Sequence, residues 1–217
     1  MSRPTSDTNI ANLALRLLKI DPVGSISPPD SNSKAAAAAA AWFDQAKRET
    51  LEAHPWNFAL KRIEIASDAT APIFEYTTRY ELPADFVRMG RIGEDWNNAE
   101  LDFELESGDG ADDALYILCD VETPLQLVYV ADVTDVSKYS PKFITSMAYK
   151  LASLMGYEMT GNQALVGTMN ELFIASLSSA ASIDGQNRPT RVIRRSKLAD
   201  ARRNTGTNRD WMHWSED

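Results

Sequence analysis

Leu101-Asp102-Phe103-Glu104-Leu105-Glu106 alternates apolar and acidic residues over six positions without a break. A period of two puts the three apolar side chains on one face of a strand and the three carboxylates on the other, which no helix can do. The same period governs the sequence on both sides. Phe58 to Ala66, Phe74 to Leu82, Phe86 to Ile92, Ala114 to Cys119 and Pro124 to Ala131 are rich in β-branched and aromatic residues and are separated by turn clusters. Five or six short strands without intervening helices predict a small antiparallel sandwich or barrel, with Ser107 to Asp113 as a hairpin connection.

Beyond this segment the period changes to 3.6. Ser6 or Thr8 caps a helix running to about Lys19, with Ile10, Leu13, Ala14, Leu17 and Leu18 on one face, and Asp21-Pro22 stops it. Val23 to Ser33, with Pro28-Pro29, is a connecting loop. Ser33 then caps a long helix from Lys34 to about His54-Pro55 that opens on seven alanines and keeps Asp44, Lys47, Arg48, Glu49 and Glu52 on a wet face. After Pro141 a third helix shows the stripe Phe143, Ile144, Met147, Ala148, Leu151, Leu154, Met155 and ends at Gly156 or Gly161. A fourth spans about Asn162 to Ile183, with Leu165, Val166, Met169, Leu172, Phe173, Ser176, Leu177 and Ala180 turned inward, and Asp184-Gly185-Gln186-Asn187 ends it. The expected fold class is α+β: a four-helix bundle with an inserted small antiparallel β domain and an extended C-terminal arm. The boundaries are 1–57 and 138–187 for the two halves of the bundle, 58–137 for the β domain and 188–217 for the arm.

The chain of 217 residues carries 22 basic and 31 acidic side chains, unevenly spread. Residues 1–187 hold 14 basic and 27 acidic groups, whereas 188–209 hold eight cations against Asp200 alone. An acidic body with a basic arm implies that the arm docks on something negative. Because the body would repel duplex, and no groove-reading motif accompanies the arm, an acidic protein is the better partner than nucleic acid. Arg188, Arg191, Arg194, Arg195, Lys197, Arg202, Arg203 and Arg209 are the candidates to fork onto its carboxylates, with Trp211 and Trp214 as anchors.

Catalytic readings find little support. The single cysteine, Cys119, allows no intrachain disulfide, and His54 and His213, the two imidazoles, cannot build an all-His/Cys zinc site. Neither histidine accompanies a nucleophile elbow, and phosphate-loop, dinucleotide and H-E-x-x-H motifs are absent from the sequence. His54 is expected to satisfy the carbonyls at a helix end. Asp109, Asp112 and Asp113 lack the order of a calcium loop. Asp102, Glu104 and Glu106 are spaced like a glycosidase pair, but a wet strand face gives none of them the apolar pocket that general-acid work needs. No cofactor and no metal are expected. The longest apolar run, Ala35 to Phe43, is nine residues, too short to span a membrane, and Met1 to Ile20 does not read as a secretory signal.

Three stretches resemble the head-to-tail adaptors of short-tailed bacteriophages, the tail tubular protein A group. They are Ala53-His54-Pro55-Trp56-Asn57-Phe58-Ala59 at a helix end, Tyr80-Glu81-Leu82-Pro83-Ala84-Asp85-Phe86 followed by Arg88, and Ala148-Tyr149-Lys150-Leu151-Ala152 within the Phe143 to Gly161 helix. The likeness covers about residues 8 to 185. It implies a structural virion protein, not an enzyme: a homo-oligomeric ring, typically of twelve subunits, at the head-tail junction between the portal protein and the tail nozzle protein. DNA passes through such a ring during genome ejection without specific binding. It implies too that a C-terminal extension grips the portal, a role that position and charge give here to residues 188–217. The alternative is a virion-associated peptidoglycan hydrolase using carboxylates of the β domain, since some proteins of the group are cell-wall hydrolases, although no motif in this sequence carries that activity.

Overall fold

The computed structural model describes residues 6–93, 102–108 and 114–187. Four α-helices and two three-stranded antiparallel sheets make up this part of the chain, a mixed α+β fold. The element order is α1 (Asp7–Leu17), α2 (Lys34–Ala53), β1 (Leu60–Ile65), β2 (Thr78–Glu81), β3 (Phe86–Ile92), β4 (Phe103–Ser107), β5 (Leu115–Cys119), β6 (Leu125–Ala131), α3 (Pro141–Thr160) and α4 (Gln163–Gln186).

Each helix begins on a side chain that accepts from an orphan backbone N–H: Ser6 from Asn9, Ser33 from Ala36, Ser140 from Phe143, and Asn162 from Ala164 and Leu165. Pro141 occupies the first turn of α3, where no N–H is needed, and Gly161 closes that helix in the left-handed conformation at φ +64°. Asn12 of α1 holds the α1–α2 loop, donating to the Val23 carbonyl (2.9 Å) and accepting from the Val23 N–H (2.8 Å), mimicking a strand pair.

The sheet orders are β1-β6-β3 and β2-β5-β4. Because β1 and β6, the first and last strands of the segment, pair from Leu60↔Val130 to Ile65↔Leu125, the chain leaves the sheets where it entered them. That is what lets helices separated by some 85 residues of sequence pack together. Leu125, Leu127, Tyr129 and Ala131 alternate onto one face of β6 and meet Tyr80, Ile117 and Cys119 of the other sheet in a sandwich core. On the opposite face of β6, Val130 joins the helical core with Leu51, Trp56, Phe143, Met147 and Leu151. The order of layers is therefore helices, first sheet, second sheet. α3 is the central helix: α1, α2 and α4 all pack on it.

Two register shifts interrupt β3, between Phe86 and Arg88 and between Met89 and Arg91. Gly90 lies in the second, where a Cβ would stand 2.7 Å from the Val128 carbonyl oxygen. The clash is with backbone and cannot relax by a rotamer change. Gly90→Ala should therefore lower the free energy of unfolding by about 1–3 kcal/mol, read as a lower urea midpoint at unchanged slope.

Several expectations need correction. α4 runs on through Asp184, Gly185 and Gln186 and is capped by Asn187, so the helix ends within that four-residue cluster but three residues later than expected. Lys47 is not on a wet face; at 6% exposure it is buried and paired with Asp132 at 2.9 Å, because the end of β6 comes down onto α2. Leu172, expected inward, is exposed: α4 packs mainly on α3, and just Met169, Phe173, Ala180 and Asp184 are buried along it. Among the described residues no helix is long and apolar enough to cross a membrane.

Candidate functional site

The first of the stretches singled out in the sequence lies at the junction of α2, α4 and the first sheet. α2 ends at His54, whose extended backbone turns the chain through Pro55-Trp56 into β1. Trp56 is fully buried: its indole Nε1–H donates to the Thr50 carbonyl (2.8 Å), and its ring meets Phe143 edge-on at 5.1 Å. Phe58, also against Phe143 (5.0 Å) and near Tyr139 (5.5 Å), continues this aromatic cluster.

Asp184 closes the junction from the far end of α4. Its Oδ2 accepts from the Asn57 backbone N–H (3.0 Å) and lies 3.2 Å from His54 Nε2, while its carbonyl oxygen accepts from Asn57 Nδ2 (2.6 Å). His54 thus meets a carboxylate, not the helix-end carbonyls expected of it. The sequence reading assigned Asp184 no role beyond stopping a helix. A signal for it did exist: an acid in the last turn of a helix opposes the macrodipole and needs a compensating partner.

The second stretch supports the same junction from the β side. Arg88 Nη1 donates to the Glu52 carbonyl near the end of α2 (2.9 Å). Asp85 pairs with Lys61 and accepts from the Tyr129 hydroxyl (2.8 Å), and its carbonyl accepts from the Asp132 N–H (2.7 Å). Tyr80 donates to the Val121 carbonyl (2.6 Å). In the third stretch Lys150 pairs with Glu49 of α2 and stands 5.4 Å from the Phe173 ring centre of α4, tying three helices. The motif residues therefore act as fasteners.

Partial burial works to raise the Asp85 carboxyl, but the hydrogen bonds from Lys61 and Tyr129 outweigh it and hold it below its usual value of 3.8. At Glu49 burial is likewise outweighed by Lys150 and Gln45, which lower it from 4.5. A carboxyl depressed by folding adds stability above its unfolded pKa and loses it as pH falls through the folded one. Urea midpoints should accordingly drop as pH falls below about 4.5, and Asp85→Asn should flatten that acid limb while lowering the neutral plateau. An unchanged slope of midpoint against pH in this variant would contradict the assignment. Asp7 has the opposite sign: burial raises its carboxyl and Lys47 only partly offsets this, so its ionisation costs stability.

The side chains weighed for catalysis lie as follows among the described residues. Glu104 and Glu106 stand exposed on the edge strand β4, without the apolar enclosure a general acid requires, and Asp102 is exposed beside them. Cys119 is buried, and burial pushes its thiol up, away from the reactive thiolate. Among the described residues no group of three His, Cys, Asp or Glu side chains could hold a metal ion. The loop acids Asp109, Asp112 and Asp113 lie outside the described residues, as do Arg188, Arg191, Arg194, Arg195, Lys197, Arg202, Arg203, Arg209, Trp211, His213 and Trp214.

α4 offers a different kind of surface. Its 24 residues include two charges, Glu171 and Asp184, and the latter is buried. Leu172 and Ile183 are exposed on one flank of its buried stripe, and Ile174, 58% exposed, lies on the other. This almost uncharged helix thus keeps apolar side chains exposed on both flanks. No family model matches the chain, and no curated protein matches it.

Proposed function

We propose that this chain is a non-enzymatic subunit of a closed adaptor ring joining a phage portal to the tail nozzle, with the ring enclosing part of the DNA ejection conduit. In this reading the four helices serve as a bundle, the sheets as a domain inserted between its halves, and residues 188–217 as the arm that grips the portal at the head-tail junction of the virion, after assembly in the host cytoplasm. The observation that carries it is α4, whose two apolar flanks are the arrangement a ring subunit needs. Each subunit of a cyclic ring meets two neighbours through two different surfaces, whereas a two-fold dimer would need only one.

Charge supports the same reading. With 14 basic against 27 acidic groups in residues 1–187, a ring of such bodies repels phosphates, so DNA slides through the lumen without sticking. Resemblance in three motif stretches supports the same family reading.

Imaging the purified protein with and without the portal protein tests the proposal. The expected particle is a closed ring stacked on the portal, and Ile174→Asp, on an exposed position, should leave the circular dichroism unchanged and prevent the ring. Failure to associate with portal, or ring formation indifferent to Ile174→Asp, would contradict it.

A further inference from the structure

The second sheet and the loops that flank it are strongly acidic. Residues 66–84, 102–108 and 114–124 hold eight carboxylates, at positions 68, 75, 81, 102, 104, 106, 120 and 122, and a single cation, Arg79. That cation is already engaged, paired with Asp68 at 3.1 Å and lying 4.3 Å over the Tyr116 ring. Amid these acids the loop before β2 holds Ile73 and Phe74 out into water at 92% and 71% exposure, adjacent to each other in sequence. Between that loop and β4 runs a groove of about 420 Å³, with Leu118 in its lining and Glu104 and Glu106 along the strand side. Leu105, 46% exposed, adds apolar surface from the edge strand.

Two neighbouring large apolar side chains, exposed among carboxylates that outnumber cations eight to one in these segments, describe a surface for a cationic segment with aromatic anchors. The chain contains one segment of that composition: residues 188–217, with eight cations up to and including Arg209 and then Trp211, Met212 and Trp214. We infer that, in the absence of portal, this face binds residues 188–217 of a second copy of the chain.

A second copy is the better source than the chain itself. The last turn of α4 is fastened by Asp184 to Asn57, at the start of β1 on the helical side of the first sheet. The acidic face points away from the helices, beyond both sheets, so a chain's own segment would have to wrap the sandwich. A second copy is free to present its segment to that face from outside. Thirty residues span up to about 100 Å when extended, ample for the crossing between two molecules. The arm's contact with the portal would then replace this one, which keeps the cations covered until assembly.

The inference goes beyond the adaptor reading and is tested without portal, so the two can fail separately. A fluorescein-labelled synthetic peptide of residues 188–217 is titrated with the full-length protein and followed by anisotropy, while the protein alone is sedimented across a range of concentrations. The expected results are saturable binding that weakens about tenfold or more between low and high salt, and self-association that unlabelled peptide competes away. Ile73→Ser with Phe74→Ser, and separately Glu104→Gln with Glu106→Gln, should each weaken both by about tenfold, with circular dichroism unchanged because all four side chains are exposed or half-exposed at the rim. A peptide in which every Arg and Lys is Gln should not bind. Absence of saturable binding, binding indifferent to both double variants, or a protein that stays monomeric at every concentration would overturn the inference.

Discussion

Trp56→Ala should remove about 3–5 kcal/mol of stability, the largest loss of any single substitution considered for this chain. The indole is fully buried, so its truncation leaves a cavity among Phe143, Phe58 and the end of α2. It also strands the Thr50 carbonyl, which loses its donor inside the core. His54, whose ring abuts the indole edge at 5.0 Å, loses the wall that orients it towards Asp184. The damage should therefore spread to α4, lowering the urea midpoint and exposing amides of the last α4 turn to hydrogen exchange earlier than those of α3. A loss below about 1 kcal/mol would mean that the junction is not the fastener described here.

Much of the architecture was legible in the sequence because the signals were local and repeated. Ser33 before seven alanines, Pro141 behind Ser140, and Asn162 after Gly161 each specify a helix start or stop by chemistry confined to a few residues. The alternating segments mark strands for the same reason, and all six fall within a few residues of their expected limits. What could not be read were partnerships across long sequence separations. The pairing of Lys47 with Asp132 and of Asp184 with His54 and Asn57 joins residues 85 and 130 positions or so apart, and nothing in a residue's immediate neighbours announces such a contact. Lys47 looked wet because five charged residues share its helix. The exposed flank of α4 was hidden because helical spacing puts Leu172 on the inward stripe, whereas the buried residues along the helix are Met169, Phe173, Ala180 and Asp184.

Deleting residues 188–217 should abolish attachment to the portal, about a hundredfold or more in affinity, while leaving residues 1–187 folded. The described core gives the physical reason for the second half of this expectation. Its hydrophobic clusters close among residues 10–180, and the final helix is capped and pinned before Arg188 through Asp184 and Asn187. The first half rests on charge. Removal of eight cations and two tryptophans turns a molecule with two electrostatic halves into a uniformly acidic one, which an acidic partner repels. Unfolding of the truncated chain, seen as a lost thermal transition, or attachment at full affinity would each count against the arm as the portal grip.

The most direct test is to locate residues 188–217 in the assembled particle, by cryo-electron microscopy of full-length protein bound to portal with cross-linking through the lysine at 197. The account predicts the segment seated against acidic portal surface, with its arginines on carboxylates and Trp211 or Trp214 buried. A segment hanging free of any protein in that particle, while the ring remains attached, would contradict it.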